Sequence, residues 1–213
     1  MFPKKLKIVA ATMLVTATIL AGCTGEKIDN PAALTDADIM KGNPAAQTVL
    51  MEYADFQCPA CAAYSGLVKQ VEQEYGDKIN IVYRNFPLTQ IHANALSSAK
   101  AAEAANHQGK FWEMHDRLYI KQQDWSSEAN VQDIFLSYAE DLGLNKDQFL
   151  VDYDSADVEA KVKRDIRTGN LLGVGGTPTF FVNGELIPNP HGLEEFKAVL
   201  DAKIQAADDE DAN

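Results

Sequence analysis

The sequence predicts an α/β protein in which a small sheet is opened by a β-α-β unit, interrupted by a run of helices and completed by a hairpin. Three observations carry this expectation. Thr48–Tyr53 and Ile79–Arg84 are β-rich runs separated by a helical pattern, the arrangement of a parallel crossover. Between about Ile91 and Gly173 the periodicity is helical throughout, which reads as an inserted subdomain. Strand character then returns at Thr179–Val182, followed by Asn183-Gly184, the favoured two-residue hairpin turn, and Glu185–Ile187.

Taken in chain order, Lys4, Lys5 and Lys7 precede an apolar run from Ile8 to Leu20, too short to span a bilayer and suited to a signal h-region. The residues that close it, Leu20-Ala21-Gly22-Cys23, resemble the lipobox of bacterial lipoproteins. That resemblance implies a signal peptide over 1–22, acylation of Cys23 as the mature amino terminus, and firm anchoring through several acyl chains. From Thr24 to Ala46, Pro31, Pro44, Gly25, Gly42 and scattered acids show no regular periodicity, so 23–46 reads as an acylated end and flexible tether. The folded body is expected over 47–207. Residues 208–213, four acids with Ala and Asn, read as a frayed acidic tail.

With Cys23 assigned to lipid, Cys58 and Cys61 remain, spaced Cys-x-x-Cys. A disulfide closing so short a loop removes little entropy from the unfolded chain, so stability is a poor reason for the pair. A zinc site would need two more ligands, and His92, His107, His115 and His191 form no H-x3–5-H pair. Redox chemistry is the remaining reading, with no cofactor and no metal. Pro59 suits a first helical turn, and Leu67, Val71 and Tyr75 recur at helical spacing until Gly76. Cys58 is therefore expected at a helix amino terminus, where unpaired N–H groups and the positive end of the dipole favour a thiolate. Cys61, one turn in, is expected to be shielded and to resolve the mixed disulfide.

The insertion reads as helices over Ala93–Asn106, Lys110–Gln122, Val131–Leu142, Asp147–Tyr153 and Val158–Leu172. A last amphipathic helix follows Gly192, with Phe196, Val199, Leu200 and Ile204 on its buried side. Phe111 and Trp112 read as core residues, and His92, His107 and His115 as packing or surface residues. Pro178, opening a strand after Gly175-Gly176-Thr177, is a candidate for a cis peptide bond.

Three segments together, Asp55-Phe56-Gln57-Cys58-Pro59-Ala60-Cys61, Phe111-Trp112-Glu113-Met114-His115 and Gly176-Thr177-Pro178-Thr179-Phe180-Phe181-Val182-Asn183-Gly184, resemble the DsbA-type branch of the thioredoxin superfamily over roughly Ile39 to Ile204. The resemblance implies a thioredoxin fold with a helical insertion, Cys58 as the attacking thiolate and Cys61 as its resolving partner. It also implies Thr177 ahead of a cis Pro178 facing the dithiol, and Glu52 as a buried acid near the resolving cysteine. Ala60 departs from the pattern, since the best-known DsbA proteins carry His there.

The formal charge of −12, with 31 Asp plus Glu against 19 Lys plus Arg, argues against a general nucleic-acid binder, which needs a basic patch to release counterions. The leading expectation is an envelope-tethered bacterial thiol–disulfide oxidoreductase that donates its Cys58–Cys61 disulfide to exported cysteine-containing proteins and is recycled by a membrane redox partner. The competing readings are a disulfide reductase or isomerase with the flow reversed, and a lipoprotein holdase with vestigial redox chemistry.

Overall fold

The computed structural model describes residues 28–211; the signal segment and Cys23 lie outside these. Five strands form one sheet in the order β1-β3-β2-β4-β5. Its centre is the expected crossover: β2 (Thr48–Ala54), α1 (Pro59–Tyr75) and β3 (Ile79–Asn85), with β2 and β3 parallel and Glu52 opposite Tyr83. β4 (Thr179–Val182) runs antiparallel to β2, placing Thr179 opposite Tyr53 and Phe180 opposite Glu52. β5 (Glu185–Ile187) returns along β4 through Asn183 and Gly184, whose φ values of 52° and 80° are those the tight hairpin demands.

Alternation along β2 and β3 divides the core. Leu50 and Ile81 pack with Val68, Val71 and Tyr75 of α1 and with Phe196 and Leu200 of α8 (Leu193–Asp211) on one face. Met51, Tyr53 and Val82 meet Phe181 and Val174 on the other.

Between β3 and β4 lie six helices: α2 (Ala95–Asn106), α3 (Phe111–Ile120), α4 (Gln122–Trp125), α5 (Gln132–Asp141), α6 (Lys146–Tyr153) and α7 (Ala156–Leu171). α2, α5 and α7 stop in the same way. Gly109, Gly143 and Gly173 take positive φ, and the next amide returns to a carbonyl five residues back, as from Lys110 to Ala105. Asn145 and Ser155 cap α6 and α7, their side chains accepting from the amides of Gln148 and Val158. Trp125, Phe135, Phe149, Met114 and Leu118 fill a separate core among these helices.

The helix expected over Lys110–Gln122 is divided between α3 and α4, giving six helices in the insertion where five were expected, and two domain boundaries also differ from the sequence expectation. The stretch expected as tether is built into the fold from its described start: Ile39–Gly42 forms β1, antiparallel to β3 with Ile39 opposite Tyr83. The cause is Arg84, buried at 2% exposure. Its guanidinium pairs with Asp38 at 2.7 and 2.9 Å and donates to the carbonyls of Pro31 and Ala33 and to the Tyr53 hydroxyl. A buried cation needs such a set of acceptors, and segment 31–38 supplies most of it. At the other end α8 continues to Asp211 beyond the expected boundary at 207, an extension that Ala206 and Ala207 favour.

Candidate active site

The site is built where the turn after β2 enters α1. Asp55 organises that turn: its carbonyl accepts from the Cys58 amide at 3.0 Å, and its carboxylate accepts from the amides of Gln57 at 2.8 Å and Leu88 at 3.0 Å and meets His92 Nδ1 at 2.6 Å. Cys58 is the N-cap residue of α1 with extended backbone and no side-chain capping bond, and Pro59 follows at N1. The first amides of α1 are thus left to the sulfur rather than to a polar cap.

Both cysteines stand as free thiols, Cys58 with 7% exposure and Cys61 with none. Their acidities are driven apart. The Cys61 thiol, donating to the Cys58 sulfur, is the first cause holding the Cys58 pKa down at about 5; the Cys61 and Ala60 amides and the Thr177 side chain add to it against the cost of burial. Burial is the first cause pushing Cys61 far above the usual thiol range, with its bond to Cys58 and the nearby Glu52 charge acting the same way. One sulfur is fitted to attack and to leave, and the other to hold its proton until the exchange needs it.

Thr177 and Pro178 come against this dithiol from the start of β4. The Thr177–Pro178 bond is cis, Cys58 Sγ lies 3.4 Å from the Thr177 carbonyl oxygen, and the buried Thr177 Oγ1 has no conventional hydrogen-bond partner. Glu52 shares the Leu50 face of β2, is 4% exposed, and leaves Oε1 unpartnered. Burial pushes its carboxyl up to about 8, only partly offset by the Lys41 charge. A neutral acid at that depth can hold a proton near Cys61. Cys58, Cys61, Thr177 and Glu52 are brought together in this way, with Pro178 beside Thr177.

The remaining candidates have other places. His115 is buried in an aromatic cage of Phe56, Tyr83, Trp112 and Tyr119, and burial lowers its pKa. Phe111 is buried beside it, and the Trp112 indole donates to the Met40 carbonyl, tying α3 to β1. Sequence reasoning did not find Gln122, whose side chain binds the backbone of the cysteine turn, nor Gln57 and Asn94, whose side chains tie that turn to the backbone at the end of α4. No local pattern marks a glutamine that serves a carbonyl more than 60 residues away.

A five-stranded sheet with a helical insertion, carrying an N-cap cysteine, a buried partner one turn later and a cis proline against them, defines a thioredoxin-fold dithiol protein. A family profile described as Thioredoxin matches residues 34–202, and the chain belongs to that family. It is similar to a thioredoxin-like oxidoreductase from Silicibacter pomeroyi, 26% identical with a TM-score of 0.68 over 79% of this chain and 92% of that one. It shares its fold with alpha-DsbA1 of Wolbachia pipientis, 20% identical with a TM-score of 0.73 over 83% and 96% of the two chains. Among curated proteins, a Na(+)/H(+) antiporter NhaA 3 of Salinispora tropica is 37% identical over 172 residues, which are 81% of this chain and 26% of that protein. The chain spans about a quarter of the length of such relatives. Among the described residues no helix is long and apolar enough to cross a membrane.

Proposed function

We propose that this chain is a thiol–disulfide oxidoreductase acting outside the cytoplasm, donating the Cys58–Cys61 disulfide to exported cysteine-containing proteins. The observation that carries the reading is the geometry of the dithiol, with Cys58 at the uncapped amino terminus of α1, Cys61 fully buried one turn later and the cis Thr177–Pro178 bond against them, an arrangement that drives the two acidities apart. A stabilised thiolate stabilises the reduced protein, and so makes the disulfide a better oxidant.

In the forward direction a substrate thiolate attacks Cys58 Sγ; the Cys58–Cys61 bond breaks and Cys61 leaves with the electron pair and takes up a proton, with Glu52 as its local source. A second substrate thiolate then attacks the substrate sulfur of the mixed disulfide. The substrate disulfide forms and Cys58 leaves as a thiolate, two electrons having passed to the dithiol. A membrane redox partner restores the disulfide. Thr177 and Pro178 are the edge against which the substrate backbone docks.

We further propose that Cys23 carries the acyl chains that hold the domain at the envelope surface. Mass spectrometry finding an unmodified mature amino terminus elsewhere would remove that part. The ion exchange named for the antiporter relatives is not adopted, because the similarity covers about a quarter of those proteins and this chain carries a dithiol site.

The deciding experiment is equilibration with glutathione together with thiol trapping in cells. The expected potential lies above thioredoxin's, about −270 mV, with the pair oxidised in cells. A potential that low, with both thiols trapped free, would establish the reductase instead. Full function in Cys58→Ser would establish the holdase.

A further inference from the structure

We propose that Gln122 is a positioning residue of the dithiol site: it clamps the turn that carries Cys58 and thereby holds the helix amides on the sulfur. Gln122 opens α4, in the helical insertion, and is 4% exposed. Its Nε2 donates to the Phe56 carbonyl at 2.7 Å and to the Cys58 carbonyl at 3.0 Å, so both amide protons are spent on the two residues flanking Gln57. The Cys58 carbonyl also accepts the first helical bond, from Ala62 at 3.1 Å. Gln122 therefore acts on the very peptide group at which the turn becomes α1.

A second grip fixes the same two segments. Gln57 Nε2 donates to the Ser126 carbonyl at 2.7 Å, and Gln57 Oε1 accepts from the Asn94 amide at 2.6 Å. The Asn94 side chain in turn donates to the carbonyls of Trp125, Ser126 and Glu128, seating the end of α4. The insertion thus reaches the catalytic turn through neutral amides at both of its ends.

Gln122 carries no charge and is not among the groups bonded to the Cys58 sulfur, so any effect on that sulfur passes through geometry. Hydrogen bonds from the Cys61 and Ala60 amides weaken steeply as their direction is lost. Releasing the turn lets those amides drift. The thiolate loses part of its stabilisation, and the reduced protein loses it with respect to the disulfide.

The inference rests on the oxidoreductase reading for its importance but is tested on the dithiol itself, so a protein that proves to run as a reductase leaves the test intact. Gln122→Met keeps the volume and removes both donors. Thiolate absorbance titration should show the Cys58 pKa raised by about one unit. Glutathione equilibration at pH 7 should shift about tenfold toward the protein disulfide, equivalent to roughly 30 mV downward. A folded Gln122→Met with the wild-type pKa and potential overturns the proposal and leaves Gln122 a purely structural residue. If that variant does not fold, Gln57→Ala, which opens the other grip from a partly exposed position, decides by the same two readouts. A shift of the same sign supports the clamp, and no shift rejects it.

Discussion

Cys58 Sγ lies 3.4 Å from the Thr177 carbonyl oxygen across 119 residues of sequence, so the nucleophile and the entry to β4 are in direct contact, and only the protonated thiol donates to that carbonyl. When Cys58 is ionised or bonded to a substrate sulfur it can no longer donate, and that carbonyl is freed beside the new disulfide. An extended substrate can then pair with it. Cys61→Ala should therefore accumulate mixed disulfides through Cys58, while Cys58→Ala should trap none. Non-reducing gels and mass spectrometry of the captured species check this; equal trapping by the two variants would show that the attacking residue is misassigned.

The pH dependence of stability follows from the same cysteine. Its folded pKa of about 5 lies below the ordinary thiol value of 9.0. For a depressed acid the contribution is fully present above the unfolded value and is lost as pH falls through the folded one. The reduced protein should gain on the oxidised protein from about pH 5 to about pH 9, because the disulfide has no thiol to titrate. Thermal unfolding of both forms across this range measures it, and a flat difference would mean that Cys58 is an ordinary thiol.

Glu52 acts in the opposite sense. Its carboxyl ionises near 4.5 when unfolded and near 8 when folded, so the folded state loses stability as pH rises from 4.5 to 8 and does not regain it above. Glu52→Gln should match the parent protein at pH 4 and exceed it by a few kcal/mol at pH 8. The same substitution should slow resolution of mixed disulfides, because Cys61 loses its nearby proton carrier. Denaturant titrations at the two pH values test the first part, and a variant less stable than the parent at pH 8 would show Glu52 to be ionised and paired.

Ala60 is exposed, and its amide is directed at the Cys58 sulfur. Ala60→His adds a group able to donate to, or carry charge beside, the thiolate without disturbing the core. The pKa should fall, and the glutathione equilibrium should move about tenfold toward the dithiol for each unit of that fall. Movement of one quantity without the other would break the link between thiolate stabilisation and oxidising strength.

Much of this site was legible because its signals are local. Pro59 at a first turn, Gly76 at the end of the helix it opens, and the Asn183-Gly184 hairpin each declare themselves within a few residues. β1 did not, because four residues containing Lys41 and Gly42 have no alternation to read and become a strand only by pairing with β3. Arg84, at the end of the second strand, was itself the overlooked sign, since a cation buried there requires a partner from elsewhere in the chain. Gln122 was hidden for the same reason: its role is set by carbonyls that only the fold brings to it.

That buried cation gives the last prediction. Arg84 and Asp38 are each 3% exposed at the side chain and 2.7 Å apart, and the same guanidinium holds the carbonyls of Pro31 and Ala33. Removing one member of such a pair leaves the other charged, desolvated and unpaired. Arg84→Met should therefore cost about 3–5 kcal/mol. The loss should be uneven. Residues 31–38 are tied to the body chiefly through Arg84, whereas 39–42 are also held by pairing with β3 and by the Trp112–Met40 bond, so the amides of 31–38 should exchange with solvent far faster than those of β2 and β3 in the same variant. Adding Asp38→Asn removes the stranded charge and should recover part of the stability without restoring protection of that segment. Urea titration of the single and double variants, with hydrogen exchange read residue by residue, separates the two effects. A single variant within 1 kcal/mol of the parent, or a segment still protected, would mean that β1 pairing alone holds the amino-terminal strap.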